Sequence, residues 1–341
     1  IKLTNLIEAV PFIVEEAGRL DPSCFDYDEK IQALEETLLS IDSEDELISM
    51  IEKNKLKYRA KAFVIKVLGK LKSNKAVPIL IKLLEDLKRE IRIASEKALG
   101  EIGGIEVIQP LIKKSTEDQD ANVRKAAIEA LGMIRAYDAY EPLLNLLDRE
   151  IYPDIIEVIV SSLISIDQER FLKNLNSYKR EVKQALAELT YSFDILNMLV
   201  QCEDKEVKRA ALYALGRIAT EQAISKILEF IKSEDKELKK TAILALGEAN
   251  FCSDELWECI KDEDPWIRYY ALKSISKACD PEFFPEKIKT LLDDPFPPVV
   301  IAAVEALSEI ATSKVYDILI SKKNHPDKEV REKIQEVLQK I

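Results

Sequence analysis

His325 is the sole histidine of this 341-residue chain, and that limits the chemistry open to it. One imidazole leaves no His-rich metal cage, no H-E-x-x-H zinc helix and no choice of base for a Ser-His-Asp triad. Its setting, Asn324-His325-Pro326-Asp327 between two helical patterns, reads as a loop, with no Ser or Cys at a recognisable pairing distance. Cys24, Cys202, Cys252, Cys259 and Cys279 are scattered, odd in number and free of C-x-x-C spacing. That pattern argues against a zinc site and a disulfide framework and for a reducing cytoplasm. Cys252 and Cys259, seven apart, are expected on one buried helical face. Neither G-x-G-x-x-G nor G-x-x-x-x-G-K-[ST] occurs, so both phosphate-cradling loops are missing. Paired acids such as Asp118-Gln119-Asp120 and Asp293-Asp294 have the right type for acid/base or cation chemistry. No catalytic, cofactor or metal site is expected from these residues.

Two clusters instead have the chemistry of binding. Residues 53–75 carry nine bases and no acid, and on a helix Arg59, Lys66 and Lys70 share one stripe. Such a stripe suits phosphate or an acidic partner, or it neutralises the acidic segment beside it. Residues 1–56 are that segment, with 14 acids against 5 bases. Further along, Phe251, Trp257, Trp266, Tyr269, Tyr270, Phe283, Phe284 and Phe296 are eight of the chain's 23 aromatics. Trp266 and Tyr270 are four apart and share a helix face, with Arg268 and Tyr269 expected to turn away from it. Trp, Tyr and Arg dominate binding hot spots, so Trp266, Arg268, Tyr269 and Tyr270 join Arg59, Lys66 and Lys70 as candidate partner-binding residues.

The elements that position these residues are helical. The chain is 47% hydrophobic and 33% charged with only 8 Gly and 13 Pro, which excludes disorder and disfavours an all-β fold. No apolar run is long enough to cross a bilayer. Five glycines follow a leucine, at Leu68-Gly69, Leu99-Gly100, Leu131-Gly132, Leu215-Gly216 and Leu246-Gly247, with a spacing near 31 residues that signals a repeat. An aliphatic residue lies nine positions before the glycine slot and a basic one eight before, as in Val123-Arg124 and Ile267-Arg268. Each repeat reads as two amphipathic helices joined by an acidic turn that caps the second. Ile164 and Tyr191 occupy the slot in two degenerate repeats, and a weaker repeat with Ile31 and Leu39-Ser40 is expected ahead of the regular ones.

The D-x-x-x-V-R-x-x-A-x-x-A-L-G shape resembles the HEAT repeat, particularly the HEAT-like form of the phycobilisome lyases, over roughly residues 57–341. The resemblance implies an all-α, right-handed α-α superhelix (a HEAT-like solenoid) of about ten two-helix repeats. It also implies a ladder of turn acids and basic residues, with Asp120 meeting Arg92 or Arg124 and Asp264 meeting Arg268, interrupted where Ile156 and Val300 replace the base. The expected organisation is acidic capping helices over 1–56, regular repeats over 57–149, degenerate repeats with a kink over 150–200, and regular repeats over 201–341. The polar last helix, Val330 to Ile341, reads as a cap, whereas Ile1 in place of Met suggests a missing upstream segment.

Stacked repeats present a long surface, so the leading reading is a non-enzymatic cytoplasmic scaffold or adaptor binding a protein of unknown identity. An enzyme-associated module similar to the tetrapyrrole (bilin) lyase subunits is the alternative. A nucleic-acid-binding HEAT-like protein ranks lower, because the net charge is −12. HEAT-like deoxyhypusine hydroxylases need several His and Glu ligands, and one histidine excludes them.

Overall fold

The computed structural model describes residues 7–41, 43–310 and 312–340. Within them lie 21 α-helices and no strand, and no helix is long and apolar enough to cross a membrane. The chain divides into two compact units, Ile1–Val182 and Lys183–Ile341.

The first unit opens with α1 (Val10–Arg19) and α2 (Tyr27–Leu39). Four helix pairs follow: α3 (Glu44–Glu52) with α4 (Tyr58–Lys70), α5 (Val77–Leu83) with α6 (Arg89–Ile102), α7 (Ile108–Glu117) with α8 (Ala121–Ile134), and α9 (Tyr140–Leu147) with α10 (Pro153–Lys173). After α11 (Arg180–Leu189) the second unit contributes five more. They are α12 (Phe193–Val200) with α13 (Lys205–Ile218), α14 (Glu221–Ile231) with α15 (Lys236–Glu248), α16 (Asp254–Glu258) with α17 (Pro265–Ala278), α18 (Phe284–Ile288) with α19 (Pro297–Ser308), and α20 (Ser313–Ser321) with α21 (Lys328–Leu338).

The second helix of each pair stacks on its counterpart in the next: α4, α6, α8 and α10 in the first unit, α13, α15, α17, α19 and α21 in the second. In α6, α8, α13 and α15 the Ala-Leu-Gly tripeptide makes this stacking close. A Cβ on Gly100 would lie 2.9 Å from the Cβ of Ala130, so α6 meets α8 with backbone against methyl. Ala130 thus receives the glycine behind it, the fully buried Leu131 fills the layer, and Gly132 faces Ser162 ahead. Each such leucine contributes roughly 2 kcal/mol by leaving water. At Ile164 the glycine is lost, and three residues on the backbone of α10 breaks at Asp167 (φ −155°, ψ 88°).

The start of the chain differs from the sequence reading. α1, not the helix carrying Ile31, stacks on α4, with Gly18 against Ala60. α2 packs against α1 and α4, and seats the buried Glu35 between Lys66 and Lys70.

The turns form a ladder whose register differs from the expected one. Arg92 donates Nε and Nη2 to Asp118, 3.0 and 3.2 Å, and Nη1 to the Asp86 carbonyl of its own turn, 3.0 Å. Arg268 repeats this with Asp294 and the Asp262 carbonyl, and Lys61 pairs with Asp86, Lys239 with Asp262. The base therefore reaches the acid that lies six residues before the basic position of the following repeat. Asp120 and Asp264 cap α8 and α17 through the Asn122 and Trp266 N–H groups and receive Arg89 and Lys236 from the preceding repeat. Burial works against the Asp118 carboxylate, yet the Asp120 N–H and Arg92 hold it below the ordinary carboxylate range. Ile156 and Val300 are buried and uncharged, so these two repeats present no base to the ladder.

The cysteines require a correction. Cys252 and Cys279 are joined in a disulfide, tying the loop after α15 to the end of α17. Cys252 lies outside any helix, so it shares no helical face with the buried Cys259. Burial pushes the Cys259 thiol up to about 11, which leaves it a poor nucleophile. His325 sits in the last turn, its Nδ1 accepting the Asp327 N–H at 3.2 Å.

Candidate docking surface

α17 begins where Pro265 follows the capping Asp264, and the first turn of a helix tolerates a proline because that nitrogen has no intrahelical acceptor. Ile267, Ala271, Leu272 and Ile275 take the buried side, with Ser274 against Gly247. Trp266 is left exposed, and Tyr269 and Tyr270 half-buried.

The aromatic residues grouped by sequence separate into two sets. Trp257 and Phe284 are core, edge to face at 6.1 Å, with Lys287 over the indole. The side chain of Phe283 lies outside the described residues. Trp266 is 50% exposed and touches Phe296 at 5.1 Å, Tyr269 at 5.8 Å and Tyr270 at 6.3 Å between ring centroids. Tyr269 therefore belongs to the same cluster, because residues three apart on a helix are neighbours. Lys240 lies 4.6 Å over the Tyr270 ring and Lys273 lies 6.0 Å from that of Tyr269. A cavity of about 350 Å³ opens beside Trp266 and Tyr270, with Lys236, Lys240, Asp264 and Glu237 at its rim.

Arg268 is separated from this cluster. Its guanidinium is turned into the ladder, 12% exposed, and Asp294 raises its proton affinity further. Its role is to hold two turns together, which its place beside Trp266 in sequence concealed. Lys66 and Lys70 of the basic stripe both meet Glu35, with Lys66 at 2.9 Å. Burial opposes the charge on Glu35, but the two ammonium groups outweigh it and lower its affinity for protons. The stripe thus neutralises an acid of the preceding segment, and Arg59 adds bonds to the Tyr58 hydroxyl and the Leu20 carbonyl. Sequence separation alone does not reveal Glu35, 31 residues before Lys66.

Stacked helix pairs with an acid–base ladder along their turns define an α-solenoid repeat protein. The profile for HEAT repeats matches residues 44–120, 194–255 and 253–339, and the chain belongs to the HEAT-repeat family. A second HEAT profile matches residues 108–134, and the PBS lyase HEAT-like repeat matches 123–149. The AP-1 complex subunit beta-1 of Mus musculus and that of Homo sapiens are each 30% identical over 169 residues, 41% of this chain and 18% of their own length. The karyopherin Kap121p bound to the SUMO protease Ulp1p is similar in structure, with a TM-score of 0.53 at 16% identity, over 98% of this chain and 45% of that one. The chain thus spans less than half the length of either relative.

Proposed function

We propose that this protein is a non-enzymatic interaction scaffold that docks a partner protein on the Trp266 cluster of α17. The observation that carries the reading is Trp266. Burying an indole in the core is worth several kcal/mol, yet this one stands half exposed among Tyr269, Tyr270 and Phe296 with cations over two of the rings. Rigid aromatics lose little entropy on binding, and flanking lysines give the patch a polar rim. Likeness to an adaptor-complex subunit, and to a karyopherin whose structure was solved with a bound protein, supports protein binding over catalysis.

A cytoplasmic site of action belongs to the same reading. The Cys252–Cys279 bond works against that part of the reading, because a reducing compartment keeps thiols free.

The experiment is an affinity capture from the source lysate at low and high salt, with wild type beside a Trp266→Ala/Tyr269→Ala variant. A stoichiometric protein held by wild type and lost by the equally stable variant supports the proposal. Retention by the variant, or capture of nucleic acid or a pigment instead, overturns it.

A further inference from the structure

The first unit contains a helix that shows what its own stacked face binds. α2 runs in the direction of α4: Tyr27 and Asp28 lie near Tyr58 and Arg59, and Glu35 meets Lys66 and Lys70 two turns on. Its inward face is Ile31, Leu34, Glu35 and Leu38, the spacing with which a helix lies along a groove. Glu35 is 3% exposed whereas the two lysines remain 50% and 41% exposed, so α2 supplies the buried carboxylate and α4 the cations that reach over it.

One repeat on, the same seat has no helix in it. A cavity of about 640 Å³ lies along α6 with α2 as its far wall, Ile31 and Phe63 on one side and Ile93 and Ala94 on the other. In the repeat register Lys97 is the equivalent of Lys66, Ala94 of Phe63 and Ile93 of Ala62. Lys97 is exposed and pairs with no acid among the described residues. Glu101, which replaces Lys70, folds back over Gly69. The 14 residues of α6 offer a track about 20 Å long, three to four turns of helix. Ala94 lets a helix backbone come close, and Lys97 stands where the resident helix places its acid.

We propose that this groove docks an amphipathic helix of a partner protein, lying parallel to α2 and carrying aliphatic residues at i, i+3 and i+7 with a carboxylate at i+4. The proposal rests on the scaffold reading and adds a second surface of defined chemistry. The partner's acid meets Lys97 as Glu35 meets Lys66, and its aliphatic residues cover Ile93 and Ala94.

The probe is a labelled synthetic peptide of residues 23–41 with Cys24→Ser, titrated into the full chain and followed by fluorescence anisotropy. Saturable one-to-one binding is expected. Glu35→Lys in the peptide or Lys97→Glu in the chain weakens it about tenfold, the worth of one half-buried ion pair, and combining the two restores it. Lys97 is exposed, so its variant folds, and circular dichroism verifies this. Absence of saturable binding, or binding indifferent to Lys97→Glu, overturns the proposal. Binding that strengthens in Lys70→Gln while ignoring Lys97→Glu overturns it too, because the peptide is then exchanging with resident α2. The Trp266→Ala/Tyr269→Ala chain binds the peptide as wild type does. Loss there places the peptide on the aromatic patch and overturns the groove, so the two surfaces fail independently.

Discussion

Arg268 donates Nε to one carboxylate oxygen of Asp294 at 2.7 Å and Nη2 to the other at 2.8 Å, joining the turn before α17 to the turn before α19. Asp294 is only 4% exposed, so removing the guanidinium strands a buried charge. Arg268→Ala is expected to destabilise the second unit by about 3–5 kcal/mol, and Arg268→Lys by less, since an ammonium forms no fork. Trp266→Ala, next to it on an exposed face, is expected to change stability by under about 1 kcal/mol. Urea unfolding of the three variants checks this, and equal losses would contradict the division of labour between the two residues.

Glu96 of α6 is fully buried, and neither carboxyl oxygen has a hydrogen-bond partner. Equivalent positions hold Ile65, Ile128, Leu212, Ile243, Leu272 and Val304, all fully buried. Burial, with the Asp118 charge in addition, pushes Glu96 up to about 9 against the opposing pull of Lys114 and Arg92. A carboxyl whose affinity for protons is raised by folding contributes stability below its unfolded value of 4.5, and that stability is lost as pH rises toward about 9. The first unit is therefore expected to weaken from pH 5 to pH 9, by up to roughly 1.4 kcal/mol per pH unit. Glu96→Leu is expected to raise stability at pH 8 and to flatten the slope. A steep slope surviving in that variant would assign the effect elsewhere.

Gly100 and Ala130 occupy one space between α6 and α8, and a methyl on Gly100 would lie 2.9 Å from the Ala130 methyl. Gly100→Ala is expected to cost about 1–3 kcal/mol by overpacking, despite the better helix propensity of alanine. Ala130→Gly in the same chain is expected to recover most of the loss. Thermal midpoints of the single and double variants measure the coupling, and simple additivity would deny the shared contact.

Thiol titration in denaturant without reductant is expected to find three free cysteines, Cys24, Cys202 and Cys259, and five after reduction. The Cys252–Cys279 link closes a 27-residue separation, for which loop entropy implies roughly 3–4 kcal/mol. Reduction is accordingly expected to lower the unfolding midpoint of the second unit. Five reactive thiols before reduction would show that the bond does not form.

The repeat architecture was legible because it is written in residue types at fixed intervals. Leu-Gly every 31 residues or so, a base eight before the glycine and an acidic turn before that sufficed to expect stacked helix pairs. A glycine at a helix crossing has one physical meaning, close approach, whatever surrounds it. The ladder's existence could be read the same way, but its register could not. Asp118 and Asp120 are both acids, and only the path of the turn shows that the first points at Arg92 while the second caps α8.

Sequence by itself determined the fold class and the helical repeat, and it picked out the two clusters whose residue types suit binding. Tertiary structure alone decided which members of those clusters are spent on the fold. Arg268 goes to Asp294, Lys66 and Lys70 go to Glu35, and Trp257 goes to the core, leaving Trp266, Tyr269 and Tyr270 on the surface. It also paired Cys252 with Cys279 across 27 residues and laid α2 on α4. The reason is range: periodicity is a local property fixed by 3.6 residues per turn, whereas these partners lie about one repeat away, where distance along the chain no longer specifies distance in space.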